Sequence, residues 1–213
     1  MKVELLSITP NAEEHIVEVA RVSSSRKNKT EDYEKLVKYL IKHGHWSPFE
    51  HSYMTLEIET SKAIAIQLLR HRSFTFQEFS QRYQDVNELS EFMFEDVRFR
   101  KQSENNRQSS TEEISDIDNR DMYDLVENHL KRTEALYNWL ILEGVSRETA
   151  RMILPLCTKT KLHMTGNIRS WIHFIGIRDD KHAQLEMQLV AKEIKSIFMR
   201  QLPVISSVLY NNE

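Results

Sequence analysis

Residues 53–72 read YMTLEIETSKAIAIQLLRHR, and the change of pattern inside this stretch decides the class of fold. From Tyr53 to Thr60 the side chains alternate, with Met54, Leu56 and Ile58 facing one way and Thr55, Glu57 and Glu59 the other. A period of two predicts a half-buried strand. Ser61 then starts a helix that carries Ile64, Ile66, Leu68 and Leu69 and runs into Arg70-His71-Arg72. Helices and non-consecutive strands mix in this way along the chain. The expected class is α/β of the α+β type: a single domain over 1–213, with a mixed, largely antiparallel sheet flanked by helices.

Toward the N-terminus, Val3 to Ile8 reads as a first strand, ended by Pro10. Asn11 with Glu14 three residues on predicts a capping box for a helix over 12–21. Ser23 to Lys29 is small and polar, and Thr30 caps a second helix with Tyr33, Leu36, Val37, Leu40 and Ile41 at helical spacing. Gly44 stops this helix and Pro48 prevents its resumption. Toward the C-terminus, Phe92 to Arg100 reads as a strand. Residues 101–120 are polar apart from Ile114 and Ile117, which predicts a mobile surface loop. Asp121 to Glu143 is a long helix, striped by Met122, Leu125, Val126, Leu136, Tyr137, Leu140 and Ile141. Ser146 caps a short helix that ends before Pro155. Lys159 to Thr165 alternates as a strand, and Ile168–Ile177 and His182–Gln201 read as helices.

Composition narrows the function. Against 29 Lys and Arg stand 32 Asp and Glu, a net charge of −3, which argues against a surface built wholly to grip nucleic acid. The one cysteine, Cys157, excludes an internal disulfide framework and a Cys-rich zinc or iron–sulfur site. It fits a reducing compartment, and a cytoplasmic location is expected. No stretch approaches the ~18 apolar residues of a membrane span, and Glu4 and Pro10 interrupt any signal-peptide core. The four glycines, Gly44, Gly144, Gly166 and Gly176, never form a G-x-G. A dinucleotide fingerprint and a Walker A loop are thereby excluded, so side chains must hold any phosphate.

Three clusters carry polar chemistry. In the first, Arg70, His71, Arg72, Glu78, Ser80, Arg82 and Tyr83 interleave with Phe74, Phe76 and Phe79. Aromatic interleaving implies partial burial, and buried arginines need anionic partners. A guanidinium fork matches phosphate oxygens, and Ser80 adds a hydroxyl. An internal salt-bridge network with Glu78 and other acids is the plainer alternative. A nucleic-acid module stacking bases on Phe74 and Phe76 is another, and the acidic balance counts against it. The second cluster holds His43, His45, Glu50 and His51, but Gly44 and Pro48 break any helical His pair, so no metal site is expected. His51, at the start of a strand, is the better substrate contact. In the third, Arg147 and Arg151 lie four apart on one helix face, followed by Asn167, Arg169, His173, Arg178 and His182. Asn167, Arg169 and His173 share a helix edge if that helix begins near Asn167. For Arg147 and His182 taken singly, ordinary ion pairs are the plainer reading. Cys157 has no base beside it and reads as a buried structural thiol.

The run RHRSFTFQEFSQRY at Arg70–Tyr83 closely resembles the signature of the flavin-dependent thymidylate synthases. Other segments resemble the same family in the same order: ARVS at Ala20–Ser23, KHGHWSPFEH at Lys42–His51, RETARMILP at Arg147–Pro155 and NIRSWIHFIGIRDDKHAQLE at Asn167–Glu186. The ordered set is highly specific. The resemblance implies reductive methylation of deoxyuridylate (dUMP) to thymidylate (dTMP). Methylenetetrahydrofolate would be the carbon donor, reduced FAD the hydride donor and NADPH the reductant of the flavin. It also implies a homotetramer with active sites shared between subunits, no nucleic-acid or membrane partner, and no cysteine nucleophile.

The resemblance assigns roles position by position. Arg70, Ser80, Arg82 and Arg151 match dUMP contacts, the arginines aimed largely at the phosphate. Gln67 and Glu78 match further nucleotide-site positions, and Glu78 is also placed at the cofactor. Arg178 matches the arginine at the uracil ring. His71, Arg72, Ser23, Asn167, Arg169, His173 and His182 match positions around FAD, and His51 a histidine near flavin and folate. Arg178, Ser80 and His51 form the implied catalytic set. Three positions depart from the family pattern: His173 and Gln77 stand where Asn is common, and Gln81 where Gly is common.

Overall fold

Strand β1 (Lys2–Ile8) and helices α1 (Ala12–Ala20) and α2 (Tyr33–Lys42) come first in the computed structural model, which describes residues 1–23, 33–89 and 92–210. Then follow β2 (Tyr53–Ser61), α3 (Lys62–Leu68), β3 (Thr75–Glu78), β4 (Arg100–Gln102), β5 (Ser110–Glu113), α4 (Arg120–Leu142) and α5 (Arg147–Ala150). The chain ends with β6 (Lys159–Asn167), α6 (Ile168–Arg178), α7 (Leu185–Gln201) and α8 (Pro203–Leu209). The class is α+β. One sheet has the order β1-β2-β6-β3, and β4 and β5 form a second, antiparallel pair.

The alternation in 53–60 becomes β2, with Met54, Leu56 and Ile58 fully buried. Each such side chain contributes roughly 1.5–3 kcal/mol of hydrophobic stabilisation. The opposite face of β2 meets β6 in polar pairs: the Thr55 and Thr165 hydroxyls at 3.0 Å, Glu57 with His163 at 2.9 Å and Glu59 with Lys161 at 2.8 Å. Partner numbers fall as those of β2 rise, so the two strands run antiparallel. Ser61 ends β2 and caps α3, its Oγ accepting the Ile64 N–H at 3.4 Å. Gly44 stops α2 at φ 66°, with its N–H donated to Ile41 and that of His45 to Leu40. This is the left-handed glycine stop that ends many helices.

The packing divides the chain into two units that use it alternately. Unit 1 holds Met1, Glu59–Arg70 and Glu78–Leu162, and unit 2 holds Lys2–Ile58, His71–Gln77 and His163–Glu213. In unit 2, α2 packs on α1 and α8, and α7 on α6, α8 and β1. Trp171 is fully buried there, its indole N–H satisfied by the Met54 carbonyl at 3.0 Å. Unit 1 has its own core of Val86, Met93, Tyr137 and Ala150, with Phe94, Leu140, Ile141, Val145 and Leu154 against it.

Several expectations are corrected. The capping box at Asn11 does not form: the residue is left-handed, at φ 48°, with no side-chain cap. Thr30 and most of the polar stretch after Ser23 lie outside the described residues. Phe92–Arg100 forms no continuous strand: Phe94 makes an isolated bridge to Thr158, and Arg100 only begins β4. Residues 101–120 are not simply a loop, since β5 lies within them and pairs with β4. Exposed polar partners hold this hairpin: Lys101 with Glu112 at 2.7 Å, and Arg100 Nε donating to Ser110 Oγ at 2.9 Å. A reading of apolar periodicity cannot see such pairs. The hydroxyl of Ser146 faces that of Thr149 at 2.9 Å and caps no backbone N–H. Helix α7 begins at Leu185, three residues after the expected start, and β3 and α8 were not expected.

Candidate functional site

In unit 1, α3 delivers Gln67 and, just past its end, Arg70, while the end of β3 delivers Glu78. The turn that follows carries Ser80 and Arg82, its backbone closed by the N–H groups of Tyr83 and Gln84 donating to the Ser80 carbonyl at 3.0 Å. Helix α5 brings Arg147 and Glu148 to the same place. Together Ser80, Arg82, Tyr83, Ser146, Arg147 and Glu148 line a cavity of about 430 Å³. Two guanidiniums and two serine hydroxyls thus surround one carboxylate. That carboxylate, Glu148 Oε2, receives Arg82 Nη2 at 3.1 Å. Arg147 Nη1 reaches the Tyr83 carbonyl at 3.5 Å. An oxyanion entering here meets donors in excess of acceptors.

Gln67, Arg70, Glu78 and Arg151 lie in unit 1 but outside this lining. Arg70 is exposed, and Arg151 donates from Nε to the Glu148 carbonyl at 3.4 Å. Glu78 is held hard: its Oε1 receives Lys62 Nζ and Thr160 Oγ1, both at 2.9 Å. The ion pair is made with Lys62, a cation outside the sequence cluster, rather than with the cluster's arginines. Gln81, beside Ser80, is 7% exposed, and its buried Nε2 finds no hydrogen-bond partner among the described residues. Its backbone is unstrained, since among the described residues only Asn11 departs from negative φ without being glycine.

In unit 2, a larger cavity of about 700 Å³ is lined by Trp46, Glu50, Ser73, Asn167, Arg169, Ser170, Ile172 and His173. Asn167, Arg169 and His173 do share one edge, because α6 starts immediately after Asn167. The Asn167 side-chain Oδ1 caps the helix by accepting the Ser170 N–H at 2.8 Å, which leaves the side-chain NH2 to face a ligand. Arg169 forms an ion pair with Glu50. His51 follows Glu50 but is itself exposed and outside the lining. Arg72 is exposed as well, and the side chain of Ser23 lies outside the described residues.

At the far end of α6, Arg178 Nε donates to His71 Nε2 at 2.9 Å. Burial first, then the charge of Arg178, then His173, push the His71 pKa down to about 4. His182 turns to Asp180, its backbone N–H at 2.8 Å and its Nδ1 at 2.6 Å from Oδ1. Those hydrogen bonds hold the Asp180 carboxyl below its ordinary pKa. Cys157 is a free, half-buried thiol whose pKa burial raises, so the thiolate is disfavoured. Among the described residues no group of three or more His, Cys, Asp or Glu could hold a metal. No helix among them is long and apolar enough to cross a membrane.

The structure thus gathers Ser80 with Arg82, Asn167 with Arg169 and His173, and His71 with Arg178. Arg147 joins the first group although its sequence setting suggested an ordinary ion pair. Lys62 and Thr160, the partners of Glu78, carried no local signal. Trp46, Glu50 and Ser73 stood inside the quoted motifs without an assigned part.

Comparison with known proteins gives matches over nearly the whole chain. The family described as thymidylate synthase complementing protein matches residues 4–204. A probable flavin-dependent thymidylate synthase of Paramecium bursaria Chlorella virus 1 is 41% identical over 98% of this chain and 99% of its own. A flavin-dependent thymidylate synthase of Synechocystis is 40% identical over 89% of this chain and 86% of its own. Among solved structures, a UMP/dUMP methylase of Streptomyces cacaoi bound with 5-Br dUMP superimposes with a TM-score of 0.82 at 26% identity, covering 97% of this chain and 93% of that one.

Proposed function

The chain belongs to the flavin-dependent thymidylate synthase family, and on that premise we propose that the unit-1 cavity receives the phosphate of dUMP and the unit-2 cavity part of the flavin. The reaction is the methylation of dUMP to dTMP, a flavin-dependent methyl transfer. The observation that carries the first assignment is the pairing of Arg82 and Arg147 with Ser80 and Ser146 around a single acid, in a chain without a glycine-rich phosphate loop. Guanidinium and hydroxyl donors replace backbone N–H groups there.

The unit-2 cavity suits an anionic, flat cofactor. Ser73, Ser170, Arg169 and the Asn167 amide offer donors to phosphate or ring oxygens, and Trp46 and Ile172 offer apolar wall. Bound and reduced, FAD would supply the hydride that completes the methyl group. The protein's part is to orient and to balance charge. Arg70, Arg82, Arg151 and Ser80 hold the nucleotide, with Gln67 and Glu78 beside it. Arg178 sets a positive charge against the uracil ring as negative charge develops there. His71, Arg72, Asn167, Arg169, His173, His182 and Ser23 belong to the cofactor side, and His51 to the folate side. Cys157 has no part, in keeping with its raised pKa.

Methylenetetrahydrofolate as carbon donor, NADPH as reductant, a cytoplasmic location and a homotetramer with shared sites complete the reading. Exposed Leu125, Trp139 and Leu142 on α4 support assembly, since large apolar groups in water favour burial. The test is dTMP formation under anaerobic conditions from dUMP, methylenetetrahydrofolate, FAD and NADPH. Product that requires both flavin and folate is expected. Folded protein that binds dUMP and flavin but forms no product would reduce the reading to a nucleotide binder.

A further inference from the structure

Arg178 closes α6 with its guanidinium partly buried, and it spends its Nε–H on Nε2 of His71 at 2.9 Å. A ring nitrogen that accepts from a guanidinium carries no proton, so His71 is neutral and its one ring N–H is on Nδ1. The packing maintains that state. The imidazole stands edge-on to Phe174, with centroids 4.8 Å apart, and to Phe74 at 6.3 Å. His173 and Arg178, the titratable and charged neighbours that act on it, both disfavour the imidazolium.

The carboxylates next to Arg178 in sequence are occupied. Asp179 Oδ2 receives Lys195 Nζ from α7 at 3.0 Å, and Asp180 is taken by His182. Among the described residues no carboxylate pairs with Arg178. Its charge is therefore steadied without being cancelled. A guanidinium has five N–H donors, and among the described residues the four on Nη1 and Nη2 have no protein acceptor, which leaves them to a ligand.

We propose that His71 is the positioning residue of Arg178: a neutral acceptor that fixes the guanidinium through Nε and leaves its full charge and its Nη edge to the uracil ring as that ring turns anionic. The assignment rests on reading Arg178 as the arginine at the uracil ring. A carboxylate in place of the imidazole would fix the guanidinium equally well but neutralise it. An imidazolium would repel it and could not accept.

The test uses the side chains that imitate one imidazole nitrogen at a time. Gln places an amide oxygen near Nε2, and Asn places its amide near Nδ1. With the full-length, flavin-loaded enzyme, His71→Gln is expected to keep kcat within about tenfold, while His71→Asn and His71→Ala lose about 100-fold in kcat with a smaller change in the KM for dUMP. Activity retained in His71→Asn but lost in His71→Gln would overturn the proposal, as would equal losses in all three. A second measurement needs no turnover. Nitrogen NMR of the unsubstituted protein is expected to show His71 as the Nδ1–H tautomer from pH 5 to pH 9, and Arg178→Ala is expected to move its titration up toward the ordinary histidine value. A Nε2–H tautomer, or ordinary titration in the unsubstituted protein, would overturn the proposal even if dTMP is made. If no dTMP is made while the tautomer and its dependence on Arg178 stand, it is the reading of function that has failed.

Discussion

Arg178 and His71 show how much chemistry one hydrogen bond can settle. An arginine at a helix C-terminus is ordinarily explained by the helix dipole. Here the guanidinium is also turned by a neutral ring, and the nearby acids are tied to Lys195 and His182. Replacing Arg178 with Ala is expected to lower kcat by about 100- to 1000-fold, the usual effect of removing one group that stabilises developing negative charge. Single-turnover rates with dUMP bound check this, and near-normal rates would remove Arg178 from the site. His71 also makes a stability prediction. Its folded pKa of about 4 lies below the ordinary 6.5, so between those values the unfolded chain binds more protons. Stability from this group is complete above about pH 6.5 and is lost as the pH falls toward 4. Melting temperature followed across pH 4–7 is expected to fall on the acid side, and to fall less in His71→Gln.

At the scale of elements, the tightest constraint is in β6. A Cβ placed on Gly166 would lie 2.4 Å from a ring carbon of Phe74. The Phe74 ring cannot withdraw freely, because Trp171, with centroids 4.7 Å away, and Phe174 pack against it. Gly166→Ala is expected to destabilise by about 1–3 kcal/mol through overpacking, read from the denaturant midpoint. An unchanged midpoint would mean that the aromatic cluster relaxes at little cost. The hairpin β4–β5 illustrates the opposite case, an element with almost no buried surface. Tyr123 of α4 ties its base, accepting the Phe99 N–H at 3.3 Å and donating to the Ile114 carbonyl at 3.0 Å. Apolar periodicity cannot reveal such an element, since exposed polar pairs and one tyrosine hold it.

At the scale of the whole molecule, the chain passes repeatedly between its two units, and the site residues divide with it. Arg70 belongs to unit 1 and His71 to unit 2, although they are adjacent in one motif. Ser80, Arg82, Arg147 and Arg151 fall in unit 1, whereas Asn167, Arg169, His173 and Arg178 fall in unit 2. The proposed homotetramer with shared sites has a direct test in the mass of the assembly. Light scattering is expected to return about four times the 25.3 kDa mass of the chain. A monomer that retains full activity would exclude shared sites.

The sequence by itself determined what depends on near neighbours. Strand β2 and its passage into α3 follow from the change of period at Ser61, the stop of α2 from a glycine free to take positive φ, and α4 from its long apolar stripe. The residues of the motifs, and with them the family, were equally legible, because they are a matter of identity and order. The partners of those residues were not. Thr160 reaches Glu78 across 82 positions, and Arg178 reaches His71 across 107. No local propensity encodes such a meeting. It depends on the order of strands in the sheet and on where α6 ends. For the same reason Arg147 looked like an ordinary surface cation until the fold set it beside Arg82. Side-chain chemistry is written in the sequence, but which charges are neutralised, which are left free and which ring must stay unprotonated are decided by burial and by distance in three dimensions.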